Sequence, residues 1–246
     1  MPQSSGLKAW GDAVFIATNS YFNYANDNNL IKDKKIVLKE TGEIQFDTQK
    51  ITKIHPWDQG IITGTGEIHV VMRSIEFFKK LADLDIKKLP QCLDISRQMR
   101  ELEIGEENIQ VEHTKLLCSC YDEHGAQLYK IQRFEPSQPY ALTPIKPMDI
   151  TVWMFNPNVE AISEDLQNLY NDLKDYLAFS SKVDWMNHYI NRIAPIYQKQ
   201  SQVDSLMSQS FDIFFQTKDE YVFGHIPNTQ NTALEFKEFS TNSESN

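Results

Sequence analysis

A chain of 246 residues with 41% hydrophobic and 24% charged residues can bury a substantial core, which excludes a wholly disordered protein. Its formal net charge of -10 excludes an extended nucleic-acid surface, because phosphate binding needs clustered lysines and arginines. The chain starts without the basic and apolar segments of a signal peptide, and no apolar run approaches the roughly 20 residues of a membrane span. We therefore expect a cytoplasmic protein with neither a membrane nor a nucleic-acid partner.

The first elements predicted along the chain form a β-hairpin. Two apolar runs, residues 7–10 and 13–18, are joined by the turn-forming pair Gly11-Asp12. Residues 19–35 are polar and rich in asparagine, which predicts a loop whose aromatic residues pack within it or form a binding surface or an interface. A short strand is predicted at residues 36–38.

A second strand pair and two helices are predicted next. Residues 50–55 and 60–63 read as strands joined by a turn. Apolar residues then recur at spacings of three and four from Ile68 to Leu81, which is the period of a helix. Pro90 can open another helix, and Gly105 can end it.

The second half of the chain repeats the order of strands, two helices and strands. Strands are predicted at 115–121, 127–133 and 149–155, helices at 159–179 and 184–208 with a kink at Pro195, and strands at 211–217 and 220–225. The apolar stripe between residues 162 and 177 is explained by a core or by an oligomer interface.

The chain has three cysteines, Cys92, Cys118 and Cys120. Such a small and odd number does not make a disulfide framework, so we expect a reducing compartment. Cys118 and Cys120 are two residues apart in an apolar run, so we expect both on one buried face of a strand. His113 and His124 flank this pair without zinc-site spacing, and the chain has no glycine-rich phosphate loop. We predict neither a metal nor a cofactor.

Helices that arrive in pairs between antiparallel strands indicate an α+β fold with helix–sheet–sheet–helix layers, a four-layer αββα sandwich. No linker or internal repeat divides the sequence. We expect one domain over residues 1–227 and a polar tail over residues 228–246.

The order of these elements resembles that of proteasome β-type subunits and their bacterial relatives, which belong to the N-terminal-nucleophile (Ntn) hydrolase superfamily. The segments that carry this resemblance are the hairpin at 11–20, the lysine-bearing strand at 50–55, the small-residue turn at 64–67, the strand pair at 116–133, and Asp204 placed eight residues before Asp212. Each motif is short, so the evidence is their shared order between residues 7 and 226.

The resemblance implies a nucleophile at the first residue of a self-cleaved chain, a threonine, serine or cysteine whose α-amino group acts as the base. The corresponding position falls near Gln3, which cannot act as a nucleophile. Cleavage after Gln3 would expose Ser4, whereas removal of Met1 alone would expose Pro2.

The supporting positions that the resemblance implies are only partly kept. Lys50 matches the site lysine, and Asn19 replaces the acidic residue that normally pairs with it. Gly66, or alternatively Gly64, is the expected oxyanion N–H donor. Asp204 matches a later acidic position, but the Ser-Gly that should follow it is missing.

Two functions therefore compete. The first is a catalytically silent member of the superfamily, a homo-oligomer that retains the fold for assembly or binding. The second is a hydrolase of amide or peptide bonds in a peptide or protein substrate, with Ser4 as nucleophile, Lys50 as electrostatic helper, Asp204 as orienting residue and Gly66 as oxyanion donor.

Overall fold

Eleven strands and five α-helices are assigned in a computed structural model of the chain. The model describes residues 13–19, 36–38, 44–46, 53–105, 109–123, 125–153, 158–204, 207, 211–217, 221–226 and 235–238. The strands are β1 (Ala13–Asn19), β2 (Ile36–Leu38), β3 (Ile44–Phe46), β4 (His55–Trp57), β5 (Gly60–Thr65), β6 (Lys115–Asp122), β7 (Gly125–Gln132), β8 (Ala141–Pro144), β9 (Phe211–Thr217), β10 (Tyr221–Ile226) and β11 (Glu235–Glu238). The helices are α1 (Ile68–Lys79), α2 (Leu89–Ile104), α3 (Ile109–Glu112), α4 (Ser163–Asn171) and α5 (Lys182–Val203).

The strands form two main antiparallel sheets. One contains five strands in the order β4-β5-β6-β7-β8, and the other contains four in the order β1-β9-β10-β11. Among the described residues, the short strands β2 and β3 pair with each other in a separate two-stranded sheet. The predicted mixture of helices and antiparallel sheets is therefore confirmed.

Three apolar cores explain this arrangement. Beneath α1 and α2, residues such as Val71, Phe78 and Leu93 pack against Leu116 and Ile131 of the five-stranded sheet. Beneath α4 and α5, a second core joins those helices to β9 and β10. A smaller core contains residues from both sheets: Ile16, Ile54, Ile61, Phe214 and Phe223. Strand alternation accounts for this division, because successive side chains of one strand point to opposite faces.

A buried hydrogen-bond chain also links the two sheets. The Ser119 hydroxyl on β6 accepts from the Ile61 N–H at 3.0 Å and donates to the Gln216 side chain on β9 at 2.8 Å. The Gln216 amide in turn donates to the Gln59 carbonyl at 2.8 Å. Gly60 allows this close approach, since a Cβ there would lie 2.3 Å from the Ser119 carbonyl oxygen.

The three cysteines are free and buried in the core beneath α1 and α2, as predicted for the Cys118–Cys120 pair. Burial raises the pKa of the Cys92 and Cys118 thiols. They behave as small apolar side chains, because a thiol held in its protonated form is neither a good nucleophile nor a good metal ligand.

The structure differs from the predicted secondary structure in several places. Residues 149–153 form no strand, and residues 154–155 of the predicted strand lie outside the described residues. The strand β8 was not predicted. The single helix expected over 159–179 is instead a 3-10 turn at Glu160–Ile162, the helix α4, and a second 3-10 turn at Tyr176–Ala178.

Other predictions agree with the structure or fall outside it. The helix predicted from Ile68, the helix ended by Gly105 and the strands 36–38, 211–217 and 220–225 are found within a few residues. The hairpin's first strand and its Gly11-Asp12 turn lie outside the described residues, as does most of the polar segment 19–35. Within the predicted tail, β11 adds a strand to the edge of the four-stranded sheet.

Candidate functional site

The four-stranded sheet places a buried carboxylate at the end of β1. In the register of β1 and β9, Thr18 lies opposite Asp212 and Asn19 lies opposite Phe211. Phe211 and Ile213 pack under α5, so alternation turns the Asp212 side chain towards the other sheet. The exposure of Asp212 is only 1%.

Lys53 is the basic group that interacts electrostatically with this carboxylate. It directly precedes Ile54, which is fully buried in the core shared by the two sheets. Burial lowers the pKa of the Lys53 amine from 10.5 to about 8, and the negative charge of Asp212 partly opposes this shift. A lysine in this state is partly neutral near physiological pH, which is a common property of lysines that act in catalysis.

The sequence analysis did not single out Lys53. It assigned the lysine role to Lys50, three residues earlier, which lies outside the described residues. The two lysines belong to the same short segment, and the structure describes only the second of them.

Two further polar groups belong to this region. The Tyr197 ring on α5 stacks on Phe211 with centroids 4.6 Å apart, and burial raises the pKa of its phenol. The Thr18 hydroxyl oxygen is inaccessible to solvent and has no hydrogen-bond partner among the residues that the structure describes. A buried hydroxyl without a partner is unusual, and it lies opposite Asp212.

Gly66, the predicted oxyanion donor, lies between the end of β5 and the start of α1. Its φ of +106° requires a glycine, and a Cβ would lie 2.5 Å from the Thr114 Cα. The next N–H, that of Glu67, donates to the Thr114 hydroxyl at 3.0 Å. The backbone at the helix start is therefore packed against Thr114.

Glu67 completes the start of α1. Its carboxylate accepts from the Val70 N–H at 2.9 Å as an N-cap, and Arg100 of α2 donates to it at 3.1 Å. The side chain is almost fully buried. The capping carboxylate and its ion pair thus join α1 to α2.

Asp204, the predicted orienting residue, is the first residue after α5. Its N–H donates to the Gln200 carbonyl at 2.8 Å and continues the helical bonding, and its exposure is 6%. The hydrogen bond from its N–H to Gln200 makes Asp204 the C-cap of α5, and its role as an orienting residue stays a prediction.

Ser4 and Lys50 lie outside the described residues, and only the backbone of Asn19 is described. Across the described parts of the chain, no three histidine, cysteine, aspartate or glutamate side chains form a group that could hold a metal ion. None of the helices in those parts has the length and apolar character needed to cross a bilayer.

Solved structures with a similar fold identify its type. A protein from the helical assembly of the Anbu complex of Pseudomonas aeruginosa has a TM-score of 0.55 at 8% identity, over 86% of this chain and 80% of that chain. No family model matches the sequence, and no curated protein matches it significantly.

Two further structures align less well. The eukaryotic HslV from Trypanosoma brucei has a TM-score of 0.43 at 10% identity, over 84% of this chain and 95% of that chain. Anbu from Hyphomicrobium sp. strain MC1 has a TM-score of 0.47 at 9% identity, over 94% of this chain and 84% of that chain. The fold assignment rests on the Pseudomonas protein: this chain has the proteasome-like fold of the Ntn hydrolases, as the order of motifs predicted.

Proposed function

We propose that this chain is a subunit of a self-assembling, proteasome-like complex, and that it does not carry out proteolysis with an N-terminal nucleophile. The Pseudomonas protein with the same fold is described as a helical assembly of a complex. Fold alone does not establish a function, so the proposal depends on how this chain uses the positions where chemistry is expected.

The positions of the three apolar cores support a four-layer arrangement of helices and sheets. One apolar core lies between a helix pair and each sheet, and a third contains residues of both sheets. A four-layer αββα sandwich is the simplest arrangement with these three cores. It leaves the outer faces of both helix pairs available for contacts between subunits.

The hydrogen bonding at the start of α1 is the observation that supports a catalytically silent protein. An oxyanion site needs backbone N–H groups that point at a substrate and are otherwise unused. Among the N–H groups that follow the predicted donor Gly66, that of Glu67 is bonded to Thr114 and that of Val70 is bonded to the Glu67 carboxylate. The residue directly after Gly66 is thus a buried carboxylate that is paired with Arg100.

Intact-mass spectrometry of the purified chain tests this proposal. We expect a mass that starts at Met1 or Pro2, no adduct with an electrophile directed at N-terminal nucleophiles, and a light-scattering mass above that of the monomer. A chain that starts at Ser4 or Ser5 and forms one adduct would overturn the silent assignment. A strict monomer at all concentrations would overturn the assembly.

The second candidate, a hydrolase of amide or peptide bonds, is favoured by Lys53. A half-buried amine with a pKa of about 8 and an acidic neighbour is the kind of group that assists a nucleophile. In this case Ser4 would be the exposed nucleophile, and Lys53 would take the role that the resemblance gave to Lys50.

A Ser4→Ala variant tests this alternative against a panel of peptide and ester substrates. A hydrolase would lose at least about a hundredfold of its kcat/KM, because its covalent step would be removed. Ser5→Ala is the matched control and would keep its activity. Equal turnover by both variants, or no turnover by the parent chain, would exclude the alternative.

A further inference from the structure

Residues 172–181, which we call the α4–α5 connector, join α4 to α5. The structure describes every residue of this connector, and each of them is exposed or at most half-buried. Its one regular element is the 3-10 turn at Tyr176–Ala178. A segment that buries so little has a low local stability, and it can open while the rest of the protein stays folded. The side chains that hold the connector against α5 therefore decide whether it is closed.

Three side chains of α5 hold the start of the connector. The Tyr189 hydroxyl accepts from the Lys174 N–H at 3.0 Å and donates to the Lys174 carbonyl at 2.9 Å. Arg192 donates two hydrogen bonds to the Asp172 carboxylate, at 2.8 Å and 2.5 Å. The Nε2 atom of His188 lies 3.2 Å from the Asp172 carbonyl oxygen. These contacts fix both the backbone and a side chain of the connector.

His188 also contacts the other end of the connector. Its ring packs edge to face on the ring of Phe179, with centroids 5.0 Å apart. One imidazole thus touches the connector at residue 172 and again at residue 179. Among His188, Tyr189 and Arg192, the imidazole is the group whose charge ordinarily changes between pH 5 and pH 8.

The surroundings of His188 favour its neutral form. A carbonyl oxygen only accepts hydrogen bonds, so Nε2 donates to Asp172 and protonation of the ring takes place at Nδ1. The described charges that act on the ring are Arg192 and Lys174, both positive, and the Asp172 carboxylate, which Arg192 already binds. Burial of the ring lowers the pKa of His188 below its ordinary value of 6.5, the hydrogen bond to Asp172 opposes this change, and the two positive charges add to it.

We propose that the α4–α5 connector is a pH-sensitive switch, which is closed on α5 when His188 is neutral and opens when the imidazole is protonated. In the open connector the ring is free of its positive neighbours and fully hydrated, so the open form binds a proton more readily than the closed form. The equilibrium therefore shifts towards the open form as the pH falls through about 6.5. Opening uncovers the Tyr176 ring, which packs on Trp185 with centroids 5.6 Å apart. The switch does not depend on the assembly proposed above.

Hydrogen exchange followed by mass spectrometry, on the full chain at pH 7.5, 6.5 and 5.5, tests this switch. The amides of Lys174, Ala178 and Phe179 are hydrogen-bonded in the closed connector. After correction for intrinsic exchange rates, their protection should fall at least about threefold between pH 7.5 and pH 5.5, while the amides of β9 keep theirs. Constant protection of the connector would overturn the proposal. An equal loss in β9 would also overturn it, because the whole chain would then be unfolding.

His188→Gln tests the residue. A glutamine side chain still offers an N–H donor for the Asp172 carbonyl, but it does not titrate. The connector of this variant should therefore have the same protection at pH 7.5 and pH 5.5. His69→Gln, at an exposed position of α1, is the matched control and should keep the pH profile of the parent chain. A parent-like loss of protection in His188→Gln would assign the pH dependence to another group and overturn the proposal.

An NMR titration of the parent chain decides the case in which His188→Gln loosens the connector at every pH. The imidazole signal that is missing from the spectrum of His188→Gln belongs to His188. The pKa measured from this signal in the parent chain should lie below 6.5. A pKa at or above 6.5 would contradict the switch, because protonation would then stabilise the closed connector instead of opening it.

Discussion

Beneath α4 and α5, aromatic rings fill the core, whereas the space between the two sheets contains polar and charged side chains beside a small apolar cluster. The Trp185 ring has neighbours at centroid distances of 5.6 Å to Tyr176, 5.4 Å to Tyr189 and 4.4 Å to Phe215. Between the sheets lie the Ser119–Gln216 hydrogen bond and the buried Asp212. The first region stabilises the fold by burial, and the second holds the groups that a chemical function would use.

This difference has an energetic cause. Burial of apolar rings is favourable without further conditions, while a polar group between the sheets lowers stability unless it is hydrogen-bonded or paired. Natural proteins retain buried polar groups where they fix a register or serve a function. The space between the sheets is therefore the region of this fold where a retained or lost activity should be sought.

The largest effect is expected in the aromatic core. Trp185→Ala should lower the free energy of unfolding by about 3–5 kcal/mol, because it removes a 4% exposed ring and leaves a cavity among three aromatic neighbours. Chemical denaturation followed by circular dichroism measures this change. Val183→Ala, two residues earlier in α5 and 55% exposed, is the control and should change stability by less than about 0.5 kcal/mol. A similar small loss in both variants would contradict the packing described.

The second effect concerns pH. The pKa of Lys53 is about 8 in the folded chain and 10.5 when the side chain is exposed, so the unfolded chain binds more protons between these values. Stability should therefore rise with pH across this window, by about 3 kcal/mol for the Lys53 contribution. The measurement is the unfolding free energy of the parent chain and of Lys53→Met at pH 7.5 and pH 10.

The parent chain must be compared with Lys53→Met, because other groups also change stability at alkaline pH. Burial raises the pKa values of the Cys118 thiol and the Tyr197 phenol, which lowers stability as the pH rises. Those contributions are common to both proteins and cancel in the difference. The parent chain should gain stability relative to Lys53→Met as the pH rises. Parallel pH profiles would show that Lys53 is not desolvated in the folded chain.

The aromatic region also shows what periodicity can and cannot predict. The apolar spacing from Ile162 to Tyr176 predicted a continuous helix, and these residues do pack on one core. The helix ends at Asn171, and Asp175 then caps a separate 3-10 turn by accepting from the Leu177 N–H. Two 3-10 turns and a short helix keep nearly the same apolar face, so the pattern identified the core correctly and the element wrongly.

Sequence reasoning recognised the fold, and contacts between distant residues lay beyond it. The assignments of Asp204 and Gly66 to a site come from motifs and stay predictions, whereas the role of Thr114 in closing the start of α1 depends on a contact 47 residues away in sequence. The strand expected at 149–155 had the β-branched and aromatic residues of a strand. Instead, the Trp153 ring lies under the Lys115 ammonium at 4.7 Å, a tertiary contact that no local pattern reveals.

The smallest of these effects should come from the hydrogen-bond chain between the sheets. Ser119→Ala removes a hydroxyl that bonds to both Ile61 and Gln216 and leaves buried groups unsatisfied, which should lower stability by about 1–3 kcal/mol. A double-mutant cycle with Gln216→Leu isolates the contribution that crosses the sheets. Because Ser119 and Gln216 bond directly, the two losses should be less than additive by about 1 kcal/mol. Strict additivity would mean that the Ser119–Gln216 bond adds no stability of its own, and that the sheets are held together by other contacts such as the Gln216–Gln59 bond and the apolar cluster around Phe214.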